Sequence, residues 1–122
     1  MPTVTLTADS FGPTVADNDI VLVDFWAQWC GPCRMFGPIY ERVSDGHPDI
    51  VFGKVDTETE PALAGEFGVM SIPTLAILRD NVVLYLQPGV VPEEGLEQLI
   101  SQVRELDMDE VHRKIAADRA TA

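Results

Sequence analysis

Apolar positions along the chain alternate between short strand-like runs and longer stretches with helical spacing. The stretch at residues 20–26 is almost continuously β-branched or aromatic, which is typical of a strand covered on both faces. Around it, the pattern predicts further strands at residues 3–6, 50–55, 74–79 and 82–87, and helices from about residue 8 and over residues 32–44, 57–67 and 94–106. The sequence therefore predicts an α/β fold in which a βαβ half precedes a ββα half, with residues 20–26 as the central strand.

Proline, glycine and turn-forming residues mark where these elements begin, bend or end. The Gly-Pro pair at residues 12–13 is expected to interrupt the first helix early, and Pro38, which lacks a backbone N–H, is expected to kink the second. Thr57 or Thr59 is expected to cap the third helix. The Asp-Asn pair at residues 80–81 is expected to join the last two strands in a tight hairpin.

The end of the chain has a pattern of its own. Asp107 with Glu110 three residues later resembles an acidic capping box, and Val111 and Ile115 would lie on one helix face. A last short helix is therefore predicted. Residues 116–122 contain no large apolar side chain and are expected to fray.

Composition and charge exclude several classes of protein. The 122 residues are 46% hydrophobic and 23% charged, as in a single globular domain. Eight Lys and Arg against twenty Asp and Glu give a net charge of −12, which argues against nucleic acid or an acidic membrane surface as a partner. No apolar run is long enough for a membrane span, and the first residues lack the pattern of an export signal, so we expect a cytoplasmic protein.

The chain has two cysteines, three positions apart. A bond between Cys30 and Cys33 closes such a short loop that it would add only about 2 kcal/mol of stability, so a redox role fits better than a structural one. Cys30 is expected where the central strand ends and a helix begins; there, free N–H groups and the helix dipole favour a thiolate, which makes Cys30 the nucleophile. Cys33, one turn inside the helix, is expected to be less exposed and to resolve the mixed disulfide. A zinc site would need two more ligands, for which only His47 and His112 offer nitrogen, so no metal and no chemistry is assigned to either histidine.

Several segments resemble the thioredoxin family in residue type, order and spacing. They are Val23-Asp24-Phe25-Trp26-Ala27, Trp29-Cys30-Gly31-Pro32-Cys33-Arg34, Pro38, Lys54-Val55-Asp56, Ser71-Ile72-Pro73-Thr74 and Gly89. The resemblance runs from about residue 6 to about residue 106 and implies the thioredoxin fold of bacterial members, a central mixed sheet of about five strands flanked by about four helices. It implies a thioredoxin domain at residues 1–106 and a C-terminal helical extension at residues 107–122 that has no counterpart in the minimal family domain. Packing of that extension on the core is favoured over docking of a partner.

Asp24 interrupts an otherwise apolar run, where burial makes its ionised form costly and raises its pKa. The matching aspartate of the family accepts and donates the proton of the buried cysteine, so the resemblance implies general acid/base chemistry for Asp24. Lys54 is expected to pair with Asp24 and modulate its charge, although a solvated lysine on a strand is nearly as simple an interpretation. Trp26 is expected to belong to the core.

The resemblance also implies an apolar substrate-binding face around Cys30. Its residues are Trp29, Gly31, Pro32, Met70, Ile72, Pro73, Gly89 and Val90. The family's proline matching Pro73 is cis, which would aim the Ile72 backbone at a substrate that adds as a short strand; a rigid turn is the alternative. An apolar patch suits many disulfide substrates better than a deep pocket does. Gln28 and the proline-rich loop at residues 88–92 depart from the family pattern and leave the reduction potential and range of partners open.

The function implied by the resemblance is that of a protein disulfide reductase. Electrons would pass from Cys30 and Cys33 to target proteins, and a separate NADPH-dependent flavoenzyme, thioredoxin reductase, would restore the dithiol without any cofactor bound to this chain. A monomer is expected. One alternative is a disulfide oxidase or isomerase of the same fold, which would favour a less rigid dipeptide than Gly31-Pro32; another is a binding or chaperone module that uses the fold without turnover.

Overall fold

Five strands form one mixed sheet in the computed structural model, which describes residues 3–121. The strands are β1 (Thr3–Thr5), β2 (Ile20–Trp26), β3 (Val51–Asp56), β4 (Thr74–Arg79) and β5 (Val82–Pro88). The helices are α1 (Ala8–Asp17), α2 (Gly31–Ser44), α3 (Pro61–Glu66), α4 (Glu93–Glu105) and α5 (Met108–Thr121). The sheet order is β1-β3-β2-β4-β5, with β2 parallel to β3 and antiparallel to β4. The predicted fold class and the central position of residues 20–26 are thus confirmed.

The alternation of side chains along β2 divides the interior into two cores. Ile20 and Leu22 face helices α2 and α4 and pack in one cluster with Tyr40. Val21 and Val23, on the opposite face, pack in the cluster that α1 and α3 complete. Both faces of β2 are therefore covered, which explains its nearly continuous apolar sequence. The same alternation places Asp24 on the face that α2 covers.

Helix α1 runs without a break from residue 8 to residue 17, so the predicted interruption at residues 12–13 is wrong. Pro13 lies on the exposed side of the helix, where water can satisfy the carbonyl that the missing N–H leaves unpaired. The helix start is held by a capping box in which the Ser10 N–H donates to the Thr7 hydroxyl over 3.2 Å.

Helix α3 is shorter than predicted and is not capped by Thr57 or Thr59. Residues 57–59 form a turn instead, in which the Thr57 N–H donates to the Trp26 carbonyl over 2.9 Å. The Glu58 N–H donates to a carboxylate oxygen of Asp56, also over 2.9 Å. Pro61 then starts the helix, in the first-turn position where a missing N–H costs no hydrogen bond.

Helix α5 begins as predicted, since the Glu110 N–H donates to the Asp107 carboxylate over 3.2 Å. Met108 is buried, and Val111 and Ile115 are half-buried, so α5 packs back on the rest of the chain. The helix continues to residue 121, so the expected fraying of residues 116–121 is wrong; alanines at residues 116, 117 and 120 favour helix strongly. The last residue of the chain lies outside the described part. Nowhere in residues 3–121 does a helix have the length and apolar character that crossing a membrane requires.

A single arginine of the sheet satisfies the end of α4. Arg79, the last residue of β4, places Nη1 2.8 Å from the Val103 carbonyl oxygen, 3.3 Å from that of Arg104 and 3.0 Å from that of Leu106. These carbonyls have no partner within the helix, so the guanidinium N–H groups supply the donors they need.

The turn between β4 and β5 has the predicted form of a tight hairpin. Asp80 and Asn81 have φ values of 52° and 61°, as such a turn requires.

Candidate redox site

The two cysteines lie where the chain passes from the central strand into α2. Cys30 is the N-cap residue of α2 and forms a disulfide with Cys33, with the Cα atoms 5.3 Å apart. The Cys33 N–H donates to Cys30 Sγ over 3.2 Å, and Pro32 occupies the first turn of the helix. A sulfur in this position receives a backbone donor and faces the positive end of the helix dipole, and both stabilise a thiolate.

Both cysteines are buried, which corrects the expectation that Cys33 would be the less exposed of the two. Cys30 is 3% exposed and Cys33 is 6% exposed. The reason is a contact between segments far apart in sequence: Cys30 Sγ lies 3.6 Å from the Ile72 carbonyl oxygen, and Ile72 packs over the pair together with Trp26. Gly31 and Pro32 remain exposed beside the sulfurs. Any molecule that reaches the sulfurs must therefore pass over Gly31 and Pro32.

Asp24 lies on the α2 face of the sheet and is 1% exposed. Neither of its carboxylate oxygens has a hydrogen-bond partner among residues 3–121. Burial raises the pKa of Asp24 from 3.8 to about 7, and the positive charge of Lys54, its neighbour on β3, moderates that rise. A carboxyl with such a pKa can take up or release a proton near neutral pH, as general acid/base chemistry requires.

An apolar cleft of about 500 Å³ opens beside the disulfide. Trp29, Met70 and Ile72, which the sequence assigned to the substrate face, line it together with residues from α3 and its flanking turns: Thr57, Pro61, Ala64, Gly65, Val69 and Ser71. The residues of α3 were missed because no motif in the sequence connects α3 with the cysteines. Ser71 lies in the motif at residues 71–74 but was not assigned to the substrate face. Trp29 is 65% exposed, yet its indole N–H donates to a Glu58 carboxylate oxygen over 2.9 Å, which fixes the wall of the cleft.

The segment before β4 and the loop after β5 meet at Pro73. The Ile72–Pro73 peptide bond is cis, as predicted, and the Gly89 N–H donates to the Pro73 carbonyl over 2.8 Å. Gly89 has a φ of +111°, which only glycine adopts readily. Met70 is 96% exposed and Val90 is 37% exposed. Neither Gly89 nor Val90 lines the cleft, although their loop is tied to Pro73.

Comparison with known proteins gives one consistent result. The sequence model described as Thioredoxin matches residues 2–102. The chain belongs to the thioredoxin family. The resemblance inferred from the motifs is thereby confirmed, and so is the assignment as a thiol–disulfide oxidoreductase with Cys30 and Cys33 as its redox pair. For members of this family no cofactor is expected, and they generally work with thioredoxin reductase and disulfide-containing targets.

Individual thioredoxins match most of the chain. The protein named "Putative thioredoxin 2" from Streptomyces coelicolor is 55% identical over 120 residues, which cover 98% of this chain and 90% of that protein. Thioredoxin from Bacillus subtilis is 39% identical over 103 residues, which cover 84% of this chain and 98% of that protein. The alignment with the Streptomyces relative therefore includes most of α5, whereas nearly the whole B. subtilis protein aligns with a shorter part of the chain.

Solved thioredoxin structures have the same fold. A mutant thioredoxin from Halobacterium salinarum superposes with a TM-score of 0.79 at 33% identity, over 87% of this chain and 95% of that one. Thioredoxin f from spinach chloroplast, in its short form, superposes with a TM-score of 0.78 at 32% identity, over 85% of this chain and 96% of that one.

The two histidines lie away from the thioredoxin redox pair. His47 is largely covered: its Nε2 is 2.6 Å from a Glu97 carboxylate oxygen, its Nδ1 is 3.0 Å from Arg104, and its ring stacks on Phe52. His112 lies 3.9 Å from an Asp80 carboxylate oxygen. Among residues 3–121, no group of three His, Cys, Asp or Glu side chains is arranged to hold a metal ion.

Proposed function

We propose that this thioredoxin-family protein reduces disulfides of other proteins, with Cys30 as the nucleophile, Cys33 as the resolving thiol and Asp24 as the proton acceptor and donor. The observation that carries the proposal is the pairing of a disulfide at the N-terminus of α2 with a buried carboxyl whose pKa is near 7. The first feature favours a thiolate, and the second provides a base in the interior.

The reaction proceeds by two exchanges. The Cys30 thiolate attacks one sulfur of the target disulfide, forming a mixed disulfide, and the other target sulfur leaves as a thiolate that takes up a proton. Cys33 then gives its proton to the Asp24 carboxylate and attacks Cys30 Sγ. This step closes the Cys30–Cys33 disulfide and releases the second target sulfur, while Lys54 modulates the charge of Asp24. Two electrons pass to the target in total.

The target docks on the face around Cys30, most of whose residues are exposed, whereas Ile72 is half-buried and Pro73 is buried. Trp29, Gly31, Pro32, Met70, Ile72, Pro73, Gly89 and Val90 form this substrate face. The cleft beside it accepts an apolar side chain of the target, because its lining is predominantly carbon and its wall is fixed by the Trp29 hydrogen bond to Glu58. The Ile72 backbone beside Cys30 offers a place for a short extended segment of the target.

The remaining assignments concern the setting of the reaction. A separate thioredoxin reductase, using NADPH, returns electrons to the Cys30–Cys33 disulfide. The protein acts as a cytoplasmic monomer, with residues 1–106 as the thioredoxin domain and residues 107–122 as an extension. The net charge of −12 disfavours nucleic acid and acidic membranes as partners.

Reduction of insulin coupled to NADPH oxidation through a thioredoxin reductase tests the proposal. Wild-type protein should sustain turnover, Cys30→Ser should be inactive, and Cys33→Ser should accumulate a mixed disulfide with the target but not turn over. A measured reduction potential close to that of oxidising relatives would favour the oxidase or isomerase alternative. Turnover that survives Cys30→Ser would refute the assigned nucleophile.

A further inference from the structure

Three side chains on the α2 face of the sheet surround one another next to the disulfide. Asp24 and Trp26 are two residues apart on β2 and therefore point to the same face. Lys54 on β3 is the register partner of Asp24, so its side chain also leaves the sheet on this face. Trp26 packs against the cysteine pair as well. Trp26 is thus a neighbour of both groups that take part in the proton transfer.

The Lys54 ammonium lies over the Trp26 ring. Nζ is 5.1 Å from the ring centroid, within the range in which a cation is attracted to the negative face of an indole. Among residues 3–121, no hydrogen bond or ion pair holds this ammonium. Besides the attraction to the Asp24 carboxylate, the ring contact is therefore what restrains the end of the lysine side chain.

The space around Lys54 would otherwise allow its ammonium to move. Trp26 and Lys54 line a cavity of about 290 Å³ that extends to Cys33 and, across from the lysine, to Gly37. A Cβ atom at Gly37 would lie 4.0 Å from Nζ, so the absence of a side chain there leaves the lysine room. The four-carbon stem of lysine is flexible and its ammonium is strongly hydrated. Without the ring contact, we therefore expect the ammonium to turn into this space.

We propose that Trp26 is a positioning residue, whose indole ring holds the Lys54 ammonium at the place from which it attracts the Asp24 carboxylate. The inference rests on the proposed role of Asp24 as the proton acceptor for Cys33. Trp26 does not touch the proton itself; it acts through Lys54.

No other group named around Asp24 supplies a positive charge that would attract its carboxylate as Lys54 does. The Tyr40 hydroxyl of α2 donates to the Gly53 carbonyl over 2.8 Å, and burial raises its pKa well above the usual value, so it stays neutral. On the other side, the register partner of Asp24 on β4 is the apolar Leu75. Lys54 is accordingly the positive charge that counters the burial of the carboxyl.

The two possible roles of the ring predict opposite changes in the pKa of Asp24 when the ring is removed. The direction of the change therefore distinguishes them. If the ring holds Lys54, its loss lets the ammonium move away, and Asp24 keeps its proton to higher pH. If the ring only excludes water, its loss hydrates the carboxyl, and Asp24 loses its proton at lower pH.

The test is the titration of Asp24 in the oxidised, full-length protein, followed by the carboxyl ¹³C NMR signal. Trp26→Leu should raise the midpoint by roughly 0.5 pH unit, the equivalent of one surface cation–π contact. Trp26→Phe, which keeps a weaker aromatic face, should raise it less, and it serves as the test if Trp26→Leu does not fold. In a Lys54→Gln background, Trp26→Leu should no longer raise the midpoint. An unchanged or lowered midpoint, or an equal rise without Lys54, would overturn the proposal.

A second measurement separates this inference from the proposed function. The pH dependence of the step in which Cys33 resolves the mixed disulfide should shift in Trp26→Leu by the same amount as the Asp24 titration. A shift of both supports both proposals. A shift of the titration alone leaves Trp26 as a positioning residue for Lys54 and refutes the role of Asp24 as the proton acceptor.

Discussion

At the scale of single residues, the environment of Asp24 determines its chemistry more than its identity does. Its place in an apolar run already predicted a buried carboxyl, because the sequence neighbours on β2 are themselves buried. The burial of Cys30 was not predictable in this way, since it depends on Ile72, 42 residues away along the chain. Local patterns thus indicate on which face a side chain lies. Whether that side chain is buried depends on segments that are distant in sequence.

The raised pKa of Asp24 predicts how folding stability changes with pH. The unfolded chain releases this proton near pH 3.8, whereas the folded protein holds it to about pH 7, so Asp24 lowers stability progressively as pH rises between these values. Asp24→Asn removes the titration. Relative to wild type, the free energy of unfolding of this variant should therefore increase between pH 4 and pH 8, by up to about 4 kcal/mol.

Urea unfolding of the oxidised proteins at a series of pH values measures this difference. Asp49→Asn is a suitable control because the hydrogen bond from Arg104 lowers the pKa of Asp49 to about 2. Replacing Asp49 should consequently change the pH dependence chiefly below about pH 4. A difference between Asp24→Asn and wild type that does not vary with pH would contradict the assignment.

At the scale of elements, boundaries set by local chemistry were predicted well and those set by tertiary contacts were not. The strand β4 (Thr74–Arg79) and the Asp-Asn hairpin after it match the prediction, because turn residues with positive φ fix them locally. The start of α3 was wrong because Thr57 is tied to the Trp26 carbonyl through both its N–H and its hydroxyl, a contact that the sequence pattern does not reveal. The cleft between α3 and Trp29 was missed for the same reason.

The close packing around Gly53 on β3 predicts that a side chain at this position lowers stability. A Cβ atom added there would clash with the Leu6 side chain, with Cγ only 2.9 Å away, and would lie 3.3 Å from the Leu22 carbonyl oxygen. Leu6 is itself buried and cannot easily turn aside. Gly53→Ala should therefore lower the free energy of unfolding by about 1–3 kcal/mol, measured by chemical denaturation.

Gly65→Ala provides the matched comparison for this experiment. Gly65 lies inside α3, and a Cβ atom there meets nothing within 4 Å. Because alanine is the better helix former, this variant should be as stable as wild type or more stable, by up to about 1 kcal/mol. Equal effects of the two substitutions would show that close approach at Gly53 is not the cause.

At the scale of the whole molecule, the chain combines a complete thioredoxin fold with a helix that adds to it. The sheet and helices α1 to α4, with the loops between them, contain every residue assigned to the redox site. Helix α5 contributes one buried side chain, Met108, and otherwise lies largely exposed. The extension is therefore expected to affect stability and not the disulfide chemistry.

Truncation after residue 106 tests this expectation. The shortened protein should reduce insulin at the wild-type rate, while its free energy of unfolding should fall by about 1–3 kcal/mol as Met108 is lost from the interior. A chain ending after residue 115 retains Met108, Val111 and Ile115 and should be nearly as stable as the full protein. Loss of reductase activity in the shorter chain, with folding intact, would assign α5 a part in function.

Arg79, at the end of β4, determines the direction in which the chain continues from α4 into α5. A helix end that is closed by its own backbone usually needs a glycine in a left-handed conformation, which turns the chain sharply. Here Arg79 supplies the donors, so Leu106 leaves α4 with extended backbone angles, φ −61° and ψ 138°, and α5 starts two residues later. The path of the C-terminal segment is thus dictated by a side chain of the sheet some 27 positions earlier in the chain. A thioredoxin to which such a helix is grafted would need a comparable donor at the end of β4, as well as the helix sequence itself, to direct it along the same path.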